Sequence, residues 1–185
     1  MLKIEILFLS RGGQGAVTAS RILASTLVEE GLYAQAIPEF GAERRGAVVK
    51  TYIRASTQPI KTHEMIKNPD LIVVFSRGIL DIIDLKIFIG DKNPVFLINS
   101  STPVKTGFKT FVVDATGIAI KTGLVVAGWP VINTALLGSL SKVTGLYRLE
   151  TLIKILGVFF KGELLEKNIE AVKKAYEQTY EAAEI

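Results

Sequence analysis

Short apolar runs alternate along the chain with glycine, proline and charged breaks, and the length of each run sets the element it predicts. Residues 4–9 read as a buried strand ending in Ser10-Arg11-Gly12-Gly13-Gln14-Gly15. A helix is predicted from about residue 16 to residue 30, because Ala16, Ala19, Leu23 and Leu27 share one face and Gly31 supplies a left-handed stop. Residues 32–37 predict a second strand closed by Pro38, and the polar, glycine-bounded segment 39–46 predicts a loop. Residues 48–55 alternate between two faces, which predicts a half-buried strand at a sheet edge, free to run antiparallel to its neighbours. Apolar runs at 71–75, 95–98 and 109–113 predict further strands, and 79–89 predicts a helix.

After Asp114 the pattern turns helical, with helices predicted at 131–143, 149–160 and 163–183 and breaks at Gly145 and Gly162. The last carries Leu165, Ile169, Val172, Tyr176 and Ala183 on one stripe, with Glu163/Lys167 and Glu170/Lys174 pairs on its polar face. Helix 149–160 is apolar on too many sides for a surface helix, so it is expected either at the centre of the core or under a partner subunit. Apolar strands interleaved with helices predict an α/β fold: a doubly wound, mainly parallel, Rossmann-like sheet with its first strand central and a C-terminal helical segment. One domain is expected over residues 1–185, with an α/β part at about 1–125 and a helical extension at about 126–185.

Composition narrows the chemistry. None of the 185 residues is cysteine, which excludes disulfides, thiolate-held iron–sulfur clusters and a cysteine nucleophile. The only histidine is His63, in a polar loop, and it reads as an incidental surface residue. The net charge of +4 is spread along the chain, so no nucleic-acid partner is expected. Neither a signal peptide nor a membrane span is legible, and a cytoplasmic location is expected.

The strongest motif is the strand–Arg11-Gly12-Gly13-Gln14-Gly15–helix junction. Glycines there let the backbone turn tightly and approach a ligand, while the helix start offers free N–H groups to an anion. The competing reading is a turn whose glycines only relieve strain. No Gly-Lys-Ser/Thr follows, so it is not a P-loop, and Thr18 stands where a dinucleotide fingerprint has its third glycine. A second motif, Glu39-Phe40-Gly41-Ala42-Glu43-Arg44-Arg45-Gly46, holds two adjacent arginines able to clamp an anion, or to pair with local glutamates on a solvated loop. Both motifs are expected at the carboxyl edge of the sheet. A stand-alone NAD(P)-binding protein is the alternative, with Glu39 on a ribose and Arg44 and Arg45 on a 2′-phosphate. Trp129-Pro130 reads as a hydrophobic staple ahead of a helix, and otherwise as an aromatic interface anchor.

At these loops the chain resembles the gamma subunit of the 2-oxoacid:ferredoxin oxidoreductases, the pyruvate and 2-oxoisovalerate synthases. The similarity lies in residues 11–19 and 33–47, in Gln58-Pro59-Ile60, in Asn133-Thr134-Ala135-Leu136-Leu137-Gly138 and in Lys142-Val143-Thr144-Gly145. Ser10 and Ala135 depart from the family pattern, which usually has glycine and often has proline there. The resemblance implies oxidative decarboxylation of a 2-oxoacid to acyl-CoA, carbon dioxide and reduced ferredoxin. It implies thiamine diphosphate, Mg2+ and [4Fe-4S] clusters on alpha, beta and delta partner subunits, with no cofactor held by this chain alone and activity only in the complex. It further implies coenzyme A as a ligand of Arg11, Gly12, Gly13, Gln14, Gly15, Arg44, Arg45 and Gly46, and no catalytic or metal-binding residue on this chain.

Overall fold

The computed structural model describes residues 2–39, 47–62, 64–90 and 92–182. Its main sheet contains β1 (Lys3–Arg11), β2 (Tyr33–Pro38), β3 (Val48–Ser56), β4 (Leu71–Val74), β5 (Val95–Asn99), β6 (Thr110–Val113) and β9 (Tyr180–Glu181), in the order β2-β3-β1-β4-β5-β6-β9. Strands β1, β4, β5 and β6 run parallel, and every residue of β4 is buried, as a continuous Leu-Ile-Val-Val run requires. The expected α/β class is therefore observed, with the first strand inside the sheet.

Strand β3 corrects one expectation. It is not at the edge but lies between β1 and β2, antiparallel to both, and β2 is the edge strand. The polar half of its alternation faces the side of the sheet covered by loops. Arg54, only 3% exposed, donates from Nε to Glu5 Oε1 at 2.8 Å and from Nη1 and Nη2 to the carbonyls of Thr62 and Glu64. A buried guanidinium with several acceptors produces the same sequence pattern as a solvated edge.

The two faces of the sheet are covered unequally. One packs against α1 (Ala16–Glu29), α3 (Ala115–Lys121), α4 (Asn133–Thr144), α5 (Leu149–Phe159) and α6 (Gly162–Gln178). The other meets a 3₁₀ turn at Arg77–Ile79, the single-turn α2 (Lys86–Ile89) and loop residues such as Ile66 and Val104. The expected helix at 79–89 breaks into these two pieces because the Asp84 carboxylate accepts the Lys86 N–H at 3.0 Å, which favours a turn over a helix.

Three features were not expected. Asp114 caps α3 by accepting the Gly117 N–H at 2.8 Å. A separate hairpin pairs β7 (Val125–Val126) with β8 (Trp129–Pro130). Helix α6 stops at Gln178, short of the expected 183, and β9 then pairs antiparallel with β6. The Glu163–Lys167 and Glu170–Lys174 pairs form on α6 as expected, at 2.6 and 2.5 Å.

The helix surrounded by protein is α4, whose residues 133–141 are all buried, whereas α5 buries Thr151, Leu152, Ile155 and Leu156 and exposes Val158 and Phe159. Gly138 lets α4 approach α6 closely, since a Cβ there would collide with the backbone carbonyl of Val172. Tyr147 seals the end of α4 by donating its hydroxyl to the Leu137 carbonyl at 2.7 Å.

Two outcomes follow from this packing. Gly138→Ala should destabilise the chain by about 1–3 kcal/mol, read from chemical denaturation, because backbone cannot yield as a side chain does. Burial raises the Glu5 pKa, but hydrogen bonds and charge from Arg54 and Lys3 outweigh that and hold it below the usual carboxylate value. A lowered native pKa means the pair contributes stability above the unfolded glutamate pKa and loses it as pH falls through the native value. Stability of the native chain should therefore fall on the acid side, and Arg54→Met should flatten that dependence and cost about 3–5 kcal/mol at neutral pH.

Candidate functional site

The parallel strands all end on one edge of the sheet, and the polar residues that follow them converge there. At the end of β1, the Arg11 N–H donates to Gln14 Oε1 at 2.7 Å and the Gln14 N–H donates back to the Arg11 carbonyl at 3.1 Å. This closes a compact turn in which Gly13 and Gly15 take positive φ of 89° and 79°. Gly12 and Gly13 are exposed, and no atom lies within 4 Å of the place a Cβ would occupy on either. Gly15 precedes α1 and offers no side-chain cap, so the first-turn N–H groups of the helix have no side-chain partner there.

Arg11, Gly12, Gly13, Gln14 and Gly15 are thus brought together as expected. Arg44, Arg45 and Gly46, with the rest of segment 40–46, lie outside the described residues, as does His63. The strands flanking that segment do reach this edge: Glu39 N–H donates to the Lys50 carbonyl at 3.0 Å, and β3 begins with Val48 paired to Arg11.

Two features weigh against the dinucleotide alternative. With β3 inserted between β1 and β2, Glu39 lies two strand spacings, about 10 Å, from the glycine turn. Its carboxylate is also engaged, accepting from the Tyr52 hydroxyl at 3.1 Å and lying 3.7 Å from Lys50 Nζ. Burial, with the Glu39 charge beside it, pushes the Tyr52 phenol far above its ordinary value and keeps it a donor.

The Arg11 side chain crosses from β1 to the turn after β4, where Nη2 donates to the Gly78 carbonyl at 3.3 Å. Gly78 in turn lines a cleft of about 480 Å³ shared by the residues following β4, β5 and β6, among them Arg77, Ser100, Thr102, Asp114 and Thr116. Asn99 braces its floor, donating to the Phe75 carbonyl and the Thr116 hydroxyl, each at 2.9 Å, and accepting the Thr116 N–H at 3.2 Å. Arg77 Nη1 donates to the Thr102 hydroxyl at 3.1 Å. Sequence reasoning missed these residues. Their signal was positional: each lies within three residues of the end of a parallel strand.

A mouth with an uncapped helix start, arginines and hydroxyls can bind and orient a polar or anionic group. Among the described residues no three His, Asp or Glu side chains group to hold a metal. Without cysteine the chain cannot ligate an iron–sulfur cluster through thiolates.

Residues 5–178 match the profile of the family described as pyruvate ferredoxin/flavodoxin oxidoreductase. The chain belongs to the pyruvate ferredoxin/flavodoxin oxidoreductase family. It is 45% identical over 177 residues to the pyruvate synthase subunit PorC of Methanothermobacter thermautotrophicus, covering 95% of each protein. It is 40% identical over 183 residues to the pyruvate/ketoisovalerate oxidoreductases common subunit gamma of Pyrococcus furiosus, covering 95% of this chain and 97% of that one. The crystal structure of pyruvate oxidoreductase subunit PORC from Thermotoga maritima superposes with a TM-score of 0.83 at 33% identity, covering 99% of this chain and all of that one. The structure puts the glycine turn and the Asn133 segment in contact: a Cβ on Gly15 would stand 2.8 Å from Asn133 Nδ2.

That contact yields an outcome to measure. Gly15→Ala should lower stability in a denaturant titration by more than the ~1–2 kcal/mol of left-handed backbone alone. In an Asn133→Ala background the same change should cost less, since the amide at 2.8 Å is gone and only the residue-133 Cβ at 3.3 Å remains.

Proposed function

We propose that this chain is the gamma subunit of a 2-oxoacid:ferredoxin oxidoreductase that converts pyruvate or a branched-chain 2-oxoacid, with coenzyme A and oxidised ferredoxin, to acyl-CoA, carbon dioxide and reduced ferredoxin. The observation that carries this reading is the family match over residues 5–178, joined by relatives over nearly their whole length that are named as PorC or gamma subunits. Thiamine diphosphate, Mg2+ and [4Fe-4S] clusters belong to the alpha, beta and delta partners, a division supported by the cysteine-free composition. The α/β part and the helical extension work as one body, supported by the core cluster that runs from β1 to α6. Among the described residues no helix is long and apolar enough to cross a membrane, and the assembled complex is read as cytoplasmic.

Within that complex the chain supplies binding surface. The Arg11–Gly15 turn, with Arg44, Arg45 and Gly46 from the adjoining segment, receives the phosphate-bearing part of coenzyme A. Support comes from the open face of Gly12 and Gly13, the uncapped start of α1 and the guanidiniums of Arg11 and Arg77 at the same sheet edge. Each charge-assisted contact contributes on the order of 1.5–3 kcal/mol. In the reconstituted complex Arg44→Ala/Arg45→Ala should therefore raise the KM for coenzyme A by at least about tenfold, at unchanged KM for the 2-oxoacid. An unchanged coenzyme A KM with looser subunit association would make these arginines interface residues instead.

A further inference from the structure

The β7–β8 hairpin overturns the reading of Trp129 as a staple. Val126 and Trp129 sit directly opposite each other, 63% and 77% exposed, and Trp129 is the only tryptophan of the chain. The turn between them places Ala127 at φ 50° and Gly128 at φ 82°, so a non-glycine residue is held in the left-handed region to form it. Strand β8 packs beside α3, whose Ile120 is 58% exposed and also lines the polar cleft. An exposed apolar patch of this kind, carrying a tryptophan, has the composition of an interface hot spot.

Charge decides what fits it. From residue 115 to residue 149 the chain has no aspartate or glutamate, Lys121 lies exposed four residues before β7, and the Glu163–Lys167 pair beside Gly123 is neutral overall. A second copy docking through a two-fold axis would set this patch against itself and bring its cations together. A different chain with an apolar socket rimmed by carboxylates would complement it.

We propose that the β7–β8 hairpin is the docking element that seats Trp129 and Val126 in an acidic-rimmed apolar socket of a non-identical subunit, which thereby roofs the polar cleft at Ile120. The inference rests on the reading of this chain as one subunit of an oxidoreductase complex. Any ligand of the cleft is then enclosed only after assembly, because Ile120 belongs to both the patch and the cleft wall.

Hydroxyl-radical footprinting of the free chain and of the assembled complex, read by mass spectrometry at Trp129, tests this directly. Oxidation of Trp129 should be strong in the free chain and suppressed in the complex. Trp129→Ala/Val126→Ser, folded as judged by its circular dichroism, should weaken association with the other subunits by about thirtyfold or more. Lys121→Glu should weaken it further at low salt than at high salt. An intact complex in which Trp129 stays as reactive as in the free chain overturns the proposal and leaves the family function standing. Protection of Trp129 in the free chain by self-association, seen by light scattering, overturns it in favour of a second copy. Failure to assemble with any thiamine-binding subunit overturns both readings.

Discussion

Helix α4 must be enclosed on every side, and the rest of the molecule is arranged to do it. Residues 133–141 are all buried, so before its last turn the helix has no solvent face to orient it. Its position is fixed instead by close contacts that only small residues allow. Gly138 lies against the backbone of Val172 on α6, and Asn133 lies against Gly15 at the start of α1. Distant partners answer several of the polar groups this burial traps. Thr134 donates to Asn168 Oδ1 at 2.7 Å, Ser141 donates to the Tyr147 carbonyl at 2.9 Å, and Tyr147 donates back to Leu137.

That enclosure reaches the functional edge through both ends of the segment entering α4. Asn133 packs against Gly15 at the end of the glycine turn, and the chain arrives at Asn133 through the β7–β8 hairpin. The same edge gathers the residues that follow β4, β5 and β6 around the polar cleft, with Arg11 bridging to them through Gly78. What converges there is a set of N–H groups, guanidiniums and hydroxyls with the Asp114 carboxylate, which recognise and position a ligand. Such a site suits a subunit that shapes an active centre whose reactive groups are held elsewhere in the complex.

The strands were legible because buried parallel strands are apolar without interruption, as at 71–75. The glycine turn was legible because its sequence breaks the run at a strand–helix junction. The place of β3 was not, since the burial of Arg54 depends on Glu5 and on carbonyls at Thr62 and Glu64, none of which can be paired from periodicity. The prominence given to helix 149–160 rested on its composition. Yet α4, with serine, threonine and asparagine among its residues, is the deeper helix, because partners distant in sequence satisfy its polar groups. The cleft residues Arg77, Asn99 and Asp114 were hidden for a related reason: each is ordinary alone, and only the strand order makes them neighbours. Trp129 showed the limit of local motif reading, because a hairpin two residues long per strand leaves almost no periodic signal.

The account stands on this chain being a binding and shaping subunit within a 2-oxoacid oxidoreductase. The most direct measurement is affinity isolation of the tagged full-length chain from its native cell, followed by assay of the eluate for thiamine diphosphate, iron and coenzyme A-dependent reduction of ferredoxin by 2-oxoacids. The account predicts that all three are recovered with the chain and are lost together when the other subunits are stripped from it. Recovery of the chain alone, or with partners that carry neither thiamine diphosphate nor iron, would contradict it.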